Sequence, residues 1–174
     1  MHRKFLSLFF ACVLSLFAQG YARTAPNIKS KDVHGILKEI FHEHALYKEF
    51  SGEIAKRSLK KFIDEIDPSK TYFVEKELEG YLNPSPNLIE VVVEDYKKGR
   101  FKTYAKIHAL AKLAIQRRRL IENYLETKNS LVEAKWIDFR KAPFSPTAEK
   151  LIERIQTIYA LQMESAKRVN QEAL

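Results

Sequence analysis

From residue 30 onward, apolar residues recur in steps of three and four, which is the spacing of one face of an α-helix. The first such segment spans about 31–49, with Ser30 placed as its N-cap and Asp32 in its first turn. Its apolar stripe is Val33, Ile36, Leu37, Ile40, Phe41, His44 and Tyr47. No segment alternates apolar and polar residues with period two, which is the pattern of a half-buried strand. The pattern therefore predicts an all-α protein.

The second predicted helix begins after Ser51, which can cap it. We expect its buried face to be Ile54, Ala55, Leu59, Phe62, Ile63 and Ile66. Because proline disfavours the α conformation in the residue before it, the helix should end at Asp67, next to Pro68. A short helix is expected to follow over about 74–82.

A clear break at 83–86 separates this short helix from the next one, with Ser85 as the N-cap and Pro86 as the first helical residue. The helix should continue to Tyr96, although the valines at 91–93 alone would favour a strand. Gly99 is a natural stop at its C-terminal end.

The longest predicted helix covers about 100–128. Its seam of alternating three- and four-residue steps is Tyr104, Ile107, Ala111, Ala114, Arg118, Ile121 and Leu125. An arginine within the seam favours packing inside a bundle over a free coiled coil. After an irregular stretch over 131–144, Thr147 can cap a last helix with Leu151, Ile152, Ile155, Ile158, Tyr159, Leu161 and Met163 on its apolar side. The whole pattern predicts an irregular multi-helix bundle.

The first 22 residues have the pattern of a cleaved signal peptide. A basic start at 2–4 precedes an apolar segment over 5–17, and small residues follow. The apolar segment is shorter than the ~20 residues that cross a bilayer, so we expect no stable membrane span. Cleavage after Ala22 or after Gly20 fits the pattern, with an uncleaved anchor as the alternative. We therefore expect a periplasmic protein with one helical domain over 23–174.

Composition narrows the possible partners. The only cysteine, Cys12, lies inside the leader, and Phe9 before it does not fit a lipoprotein box, so the mature chain has no thiol. Removing the leader leaves 28 basic residues against 22 acidic ones, a net charge of +6. Because export makes nucleic acid improbable, this charge points to acidic protein surfaces, to anionic lipid headgroups or simply to solvated helix faces.

The histidines and one serine–lysine pair are the candidates for chemistry. His42 and His44 lie two residues apart, about 200° around a helix, so they diverge, and His34 and His108 have no evident partner. A zinc-protease motif, with histidines four residues apart, is absent, and we expect no metal or cofactor.

The serine–lysine pair is Ser58 and Lys61, which fit S-x-x-K and fall on one helix face. The companion motifs of serine–lysine enzymes are missing, and no glycine-rich turn nearby could form an oxyanion hole. We therefore expect no catalytic residue in this chain. The basic run at 116–119 indicates either an anionic docking site or a salt-bridged helix face, with Glu122 and Glu126 as the partners.

A resemblance to a known family rests on residues 62–73, FIDEIDPSKTYF. The segment resembles the F-x-x-x-L-D-P-x-K-x-Y-F stretch in the N-terminal domain of bacterial tail-specific proteases, also called C-terminal processing peptidases. Further likeness lies at 96–104, at Arg117-Arg118 and at Ala142-Pro143-Phe144, so the resemblance covers about 28–169. In physical terms, Tyr72 and Phe73 would pack back onto the core after the turn.

The resemblance implies a non-catalytic role. Members of the family are periplasmic serine proteases with a serine–lysine active site, and a PDZ domain that follows the helical domain recognises the C-termini of substrates. This sequence ends about where the PDZ domain would begin, so no catalytic residue can be carried over. The resemblance implies a platform for assembly, scaffolding or contacts with a substrate, an adaptor or the protease part. The alternative is a small, basic periplasmic chaperone or assembly factor, and either reading is compatible with a homo-oligomer.

Overall fold

The computed structural model describes residues 27–128, Trp136, Asp138 and residues 141–172. Its six helices are α1 (Ser30–Glu43), α2 (Gly52–Ile66), α3 (Glu75–Leu82), α4 (Pro86–Lys97), α5 (Lys102–Lys128) and α6 (Ala148–Glu172). Within these residues the only β-type pairing is an isolated bridge between Val74 and Ser145. The predicted all-α fold is confirmed. The predicted signal peptide lies outside the described residues.

The end of α1 corrects the sequence prediction, because the helix ends at Glu43 and not near residue 49. His44 adopts an extended conformation, and its ring Nδ1 accepts the backbone N–H groups of Leu46 and Tyr47 at 3.1 and 3.0 Å. A side chain that accepts backbone N–H groups competes with continuation of the helix. Two members of the predicted stripe, His44 and Tyr47, therefore lie beyond the helix.

The packing of α1 is also looser than its stripe predicts, since no residue of this helix is buried. Leu37 and Phe41 pack against the core as half-buried residues. Ile36 and Ile40, however, are 54% and 49% exposed. The N-cap is Lys29, one residue before the predicted Ser30. The stripe is thus real, but only its inner edge is covered.

The helix α2 begins and ends as predicted. The Ser51 hydroxyl accepts the backbone N–H of Ile54 at 3.4 Å, and Asp67 is the C-cap before Pro68. Ala55, Leu59 and Ile63 are fully buried. Ile54, Phe62 and Ile66, the other members of the predicted face, are half-buried against them.

The ends of α3 and α4 follow their sequence signals closely. The N-cap of α3 is Val74, and the Ser85 hydroxyl caps α4 by accepting the N–H of Leu88 at 3.2 Å. Val92 and Tyr96 of α4 are buried. At the other end, Gly99 has a φ of +64°, the left-handed conformation that a glycine C-cap supplies at little cost.

The seam of α5 is confirmed, because Ile107, Ala111, Ala114 and Leu125 are each at most 2% exposed. Its first half packs with α2 and α4 around the main core, to which α3 contributes Leu78. Its second half packs with α6, where Leu151 and Ile155 join Leu125 in a second, smaller cluster. None of the described helices is both long enough and apolar enough to cross a membrane.

The last helix begins as predicted and is unevenly covered. The Thr147 hydroxyl accepts the backbone N–H of Lys150 at 3.3 Å. Leu151, Ile155 and Ala160 are buried, but Met163 is 37% and Val169 62% exposed. The first half of α6 therefore packs onto α5, whereas the side chains from 162 to 169 are mostly exposed.

Candidate functional site

The turn between α2 and α3 is a buried polar centre built on Asp67. This side chain is 0% exposed. Its Oδ1 accepts the backbone N–H of Thr71 at 2.7 Å, and its Oδ2 accepts those of Tyr72 and Phe73 at 2.9 and 3.1 Å. A carboxylate can accept this many hydrogen bonds, and charge-assisted bonds are stronger than neutral ones. One side chain thus organises the whole turn.

Lys70 occupies a strained position in the same turn. Its φ is +55°, a left-handed conformation that costs a residue with a Cβ about 1–2 kcal/mol. The side chain is 9% exposed, and its Nζ forms an ion pair with Asp64. The Nζ also lies 4.5 Å from the centre of the Phe144 ring. These contacts favour the strained conformation, because a buried ammonium left without them would be much more costly.

Three arginines from α5 and α6 bind the outer side of the turn. The Nη2 of Arg117 donates to the Tyr72 carbonyl at 2.6 Å, and Nη1 of Arg154 donates to the Lys70 carbonyl at 2.9 Å. Arg118 donates to the Thr71 hydroxyl and to Oε1 of Glu122, the second at 2.7 Å. The guanidinium group presents several donors in a rigid fork, which suits contacts to carbonyl oxygens. The turn therefore joins α2 and α3 to α5 and α6.

Glu77 links the start of α3 to Arg117. Its Oε2 accepts the backbone N–H of Val74 at 2.8 Å, while Arg117 donates to both of its oxygens at 2.6 and 2.9 Å. The hydrogen bonds from Arg117 hold the pKa of Glu77 below its ordinary value, and the same pairing raises the pKa of Arg117. Burial lowers the pKa of Arg154 from its ordinary value, against the opposing effect of the Asp67 carboxylate.

The basic run at 116–119 is thus divided between two environments. Arg117 and Arg118 are half-buried and bind the turn, whereas Arg119 is exposed. The predicted pair of Arg118 with Glu122 is present, at 2.7 Å. The geometry favours the salt-bridged helix face over an anionic docking site, and two of the three arginines also stabilise the fold.

The four candidate histidines lie in separate environments and share no position where a ligand could bind. The His42 ring is exposed and its Nδ1 lies 2.7 Å from the carboxylate of the adjacent Glu43, and His44 serves as the helix stop. His34 packs edge-on against Tyr96 with the ring centres 5.1 Å apart. His108 lies beside Tyr104 in a shallow surface cavity. Within the described residues, no three histidine, cysteine or acidic side chains cluster as metal ligands.

Ser58 and Lys61 have structural partners of their own. The Ser58 hydroxyl donates to the Ala55 carbonyl at 2.9 Å and lies 2.5 Å from the Tyr104 hydroxyl. Lys61 pairs with Glu65 at 2.6 Å, and this pairing raises the pKa of Lys61. A lysine that acts as a general base needs its pKa lowered, so the environment of Lys61 opposes that role.

An open, largely apolar groove lies between α1 and α2, with the start of α5 at one end. It consists of two adjoining cavities of about 640 and 620 Å³. Both are lined by Phe41, Ile54, Ser58 and Lys61. Apolar residues form most of the wall: Val33, Leu37, Phe50, Phe62, Phe101 and Tyr104. This groove was not predicted from the sequence, because the apolar stripe of α1 was expected to be covered.

Two further features were not predicted from the sequence: the role of Arg154 and the contact between Val74 and Ser145. Arg154 lies three residues after Leu151 and next to Ile155, and both of these residues are buried. An arginine on the apolar side of a helix could therefore have indicated a buried polar contact. The other contact, in which Glu75 N–H donates to the Ser145 carbonyl at 2.9 Å, had no local signal.

Together these features define a class of protein: an all-α domain whose helices converge on a buried aspartate turn. The family model described as the tail specific protease N-terminal domain matches residues 36–173, well over half of the chain. The chain therefore belongs to this family. Among curated proteins, none matches the sequence.

Proposed function

We propose that this chain is a non-catalytic helical domain that binds other proteins, in the manner of a platform attached to a tail-specific protease. Its role would be assembly, scaffolding, or contact with a substrate or adaptor. The observation that carries the proposal is the uncovered apolar side of α1, where Ile36 and Ile40 are about half exposed beside an apolar groove. Exposed apolar patches next to grooves are typical of protein-binding surfaces.

The organisation of the family segment supports the same proposal. Asp67, Lys70 and Phe73, which carry the resemblance, are buried and engaged in the turn. Arg117 and Arg118 are engaged with the same turn. These residues thus stabilise the fold. A contact with partners is therefore proposed for the exposed apolar side of α1 and not for the family segment. The leader pattern makes the periplasm the proposed location.

One experiment tests the proposal with two readouts. The chain, expressed with its leader and purified as the host processes it, should not hydrolyse an unfolded protein or react with a fluorophosphonate probe. It should bind the catalytic part of a tail-specific protease that lacks its own helical domain, as measured by sedimentation velocity. Hydrolysis that disappears in Ser58→Ala would contradict the proposal, and so would failure to bind any such catalytic part.

A chaperone is the second candidate, favoured by the same exposed apolar residues and by the positive charge of the chain. It predicts that the purified chain suppresses the aggregation of an unfolded outer-membrane protein. The platform predicts no such suppression at equal molar ratio. Light scattering of the client with and without the chain separates the two.

A further inference from the structure

The groove between α1 and α2 has a positively charged rim on the α2 side. Arg57, Lys60 and Lys61 line it, and the Arg57 and Lys61 side chains are 66% and 74% exposed. Along α2, Arg57 pairs with Glu53 at 3.8 Å and Lys61 pairs with Glu65 at 2.6 Å. Asp64, the other carboxylate in the walls, is paired with the buried Lys70. The pairs of Arg57 and Lys61 are exposed and therefore weak, and the three cationic side chains outnumber the two carboxylates of the walls. The rim therefore favours an occupant that carries carboxylates beside an apolar face.

The outer side of α1 carries the complementary pattern. Val33, Ile36 and Ile40 form its exposed apolar ridge, with exposures of 36%, 54% and 49%. Glu39 and Glu43 are exposed, are four residues apart and therefore lie on one side of this ridge. The opposite side of the ridge faces the groove through Leu37 and Phe41. One helix thus presents both an apolar ridge and an acidic flank.

The positions along the groove match as well. The C-terminal part of α1 lies beside the first half of α2, since Phe41 of α1 and Ile54 of α2 line the same two cavities. Just beyond α1, the Tyr47 hydroxyl is 3.5 Å from Arg57 Nη1. The N-terminal part lies beside Phe62 and Glu65. A parallel second α1 would therefore bring its Glu43 level with Arg57 and its Glu39 level with Lys61.

We propose that a second copy of this chain occupies the groove, in a two-fold dimer in which the two α1 helices pair in parallel through their apolar ridges. This inference rests on the proposed function and names one partner of the same surface. In a parallel pair, the two-fold axis runs along the helices, so the acidic flank of each α1 faces the basic rim of the other chain. An antiparallel pair would instead place the two acidic flanks against each other. Such self-complementarity is what a two-fold interface requires.

The helical form of the contact follows from the groove itself. Its walls are the side chains of helices, and within the described residues the isolated bridge at Val74 and Ser145 offers no sheet edge for an added strand. An apolar groove between helices is suited to the apolar face of an amphipathic helix.

Charge reversal tests the dimer with its own internal control. In the dimer, Arg57→Glu/Lys61→Glu would place the new glutamates of one chain against the acidic flank of α1 of the other chain. Glu39→Lys/Glu43→Lys would place new lysines against the basic rim. We expect the parent to be a dimer by sedimentation equilibrium and each variant alone to dissociate about tenfold more readily, because several exposed ion pairs become repulsive. An equimolar mixture of the two variants should dimerise again, since every reversed charge then meets an opposite one.

A matched control carries the same change of charge elsewhere. Lys112→Glu/Arg119→Glu alters two exposed residues of α5 outside the groove and should dimerise like the parent. Circular dichroism should show a folded, helical protein for every variant, because the altered side chains are exposed. Arg57→Glu/Lys61→Glu also replaces two ion pairs within α2, with Glu53 and Glu65, by weak like-charge contacts, so its thermal unfolding is measured beside that of the parent.

Three results would overturn the dimer. They are a parent that stays monomeric at its highest attainable concentration, a dimer that both variants leave intact, and a mixture that remains monomeric. A monomer that still binds the catalytic part of a tail-specific protease would remove only the self-pairing and leave the proposed function in place. A monomer that binds no such part would remove both.

Discussion

Asp67 shows how a single residue determines the local structure. In the sequence it marks the end of α2 before Pro68, and in the structure its carboxylate satisfies three backbone N–H groups of the following turn. Buried backbone donors without partners are costly, so this acceptor removes a penalty that no other nearby side chain is placed to remove. The same residue therefore ends one helix and positions the start of the next.

We expect Asp67→Ala to lower the free energy of unfolding by about 3 kcal/mol or more, because it leaves three N–H groups of the turn without their acceptor. Urea denaturation followed by circular dichroism measures the change. The control is Ser69→Ala, an exposed residue of the same turn, which should change the stability by less than about 0.5 kcal/mol. Equal effects of the two substitutions would contradict the role given to Asp67.

At the scale of elements, local sequence signals predicted the ends of the helices more accurately than they predicted which helix faces are buried. Ser51, Ser85 and Thr147 cap their helices as their positions in the sequence predict. The end of α1 was predicted wrongly, because the acceptor role of the His44 ring depends on a bend that the apolar stripe does not reveal. Caps need only neighbours in the sequence, whereas burial of a stripe needs a partner helix.

Substitution by alanine should change the stability of the protein in opposite directions at Gly35 and at Gly99. Gly35 lies inside α1 with open space around its missing Cβ, so Gly35→Ala should raise stability by about 0.5–1 kcal/mol. Gly99 has a φ of +64°, so Gly99→Ala should lower it by about 1–2 kcal/mol. Thermal unfolding of the two variants beside the parent measures both signs. Changes of the same sign would show that the local conformation does not decide the outcome.

At the scale of the whole molecule, the helices are covered to very different extents. The main core joins α2, α3, α4 and α5, and the smaller cluster joins α5 to the first half of α6. The buried turn, with Arg117 from α5 and Arg154 from α6, links the two clusters. α1 contributes only half-buried residues to this arrangement.

This arrangement predicts a gradient of hydrogen-exchange protection. The backbone amides of α2 and of the first half of α5 should exchange most slowly, because opening them exposes the main core. In the monomer, those of α1 should exchange much faster, since local opening of that helix exposes little buried surface. Mass spectrometry of deuterated peptides gives the order. Protection of α1 equal to that of α2 in the monomer would contradict this gradient. In the proposed dimer, α1 should be more protected than in the monomer, and the added protection should be lost in Arg57→Glu/Lys61→Glu.

By itself, the sequence determined the helical class, most helix boundaries and the seam of α5, because periodicity and capping depend on residues a few positions apart. The resemblance at 62–73 also identified the family that the family model shows. Only the tertiary structure decided that Asp67 and three arginines form one buried centre, and that the stripe of α1 is half uncovered. Those facts depend on pairs such as Lys70 with Arg154, 84 residues apart, whose meeting no local pattern encodes.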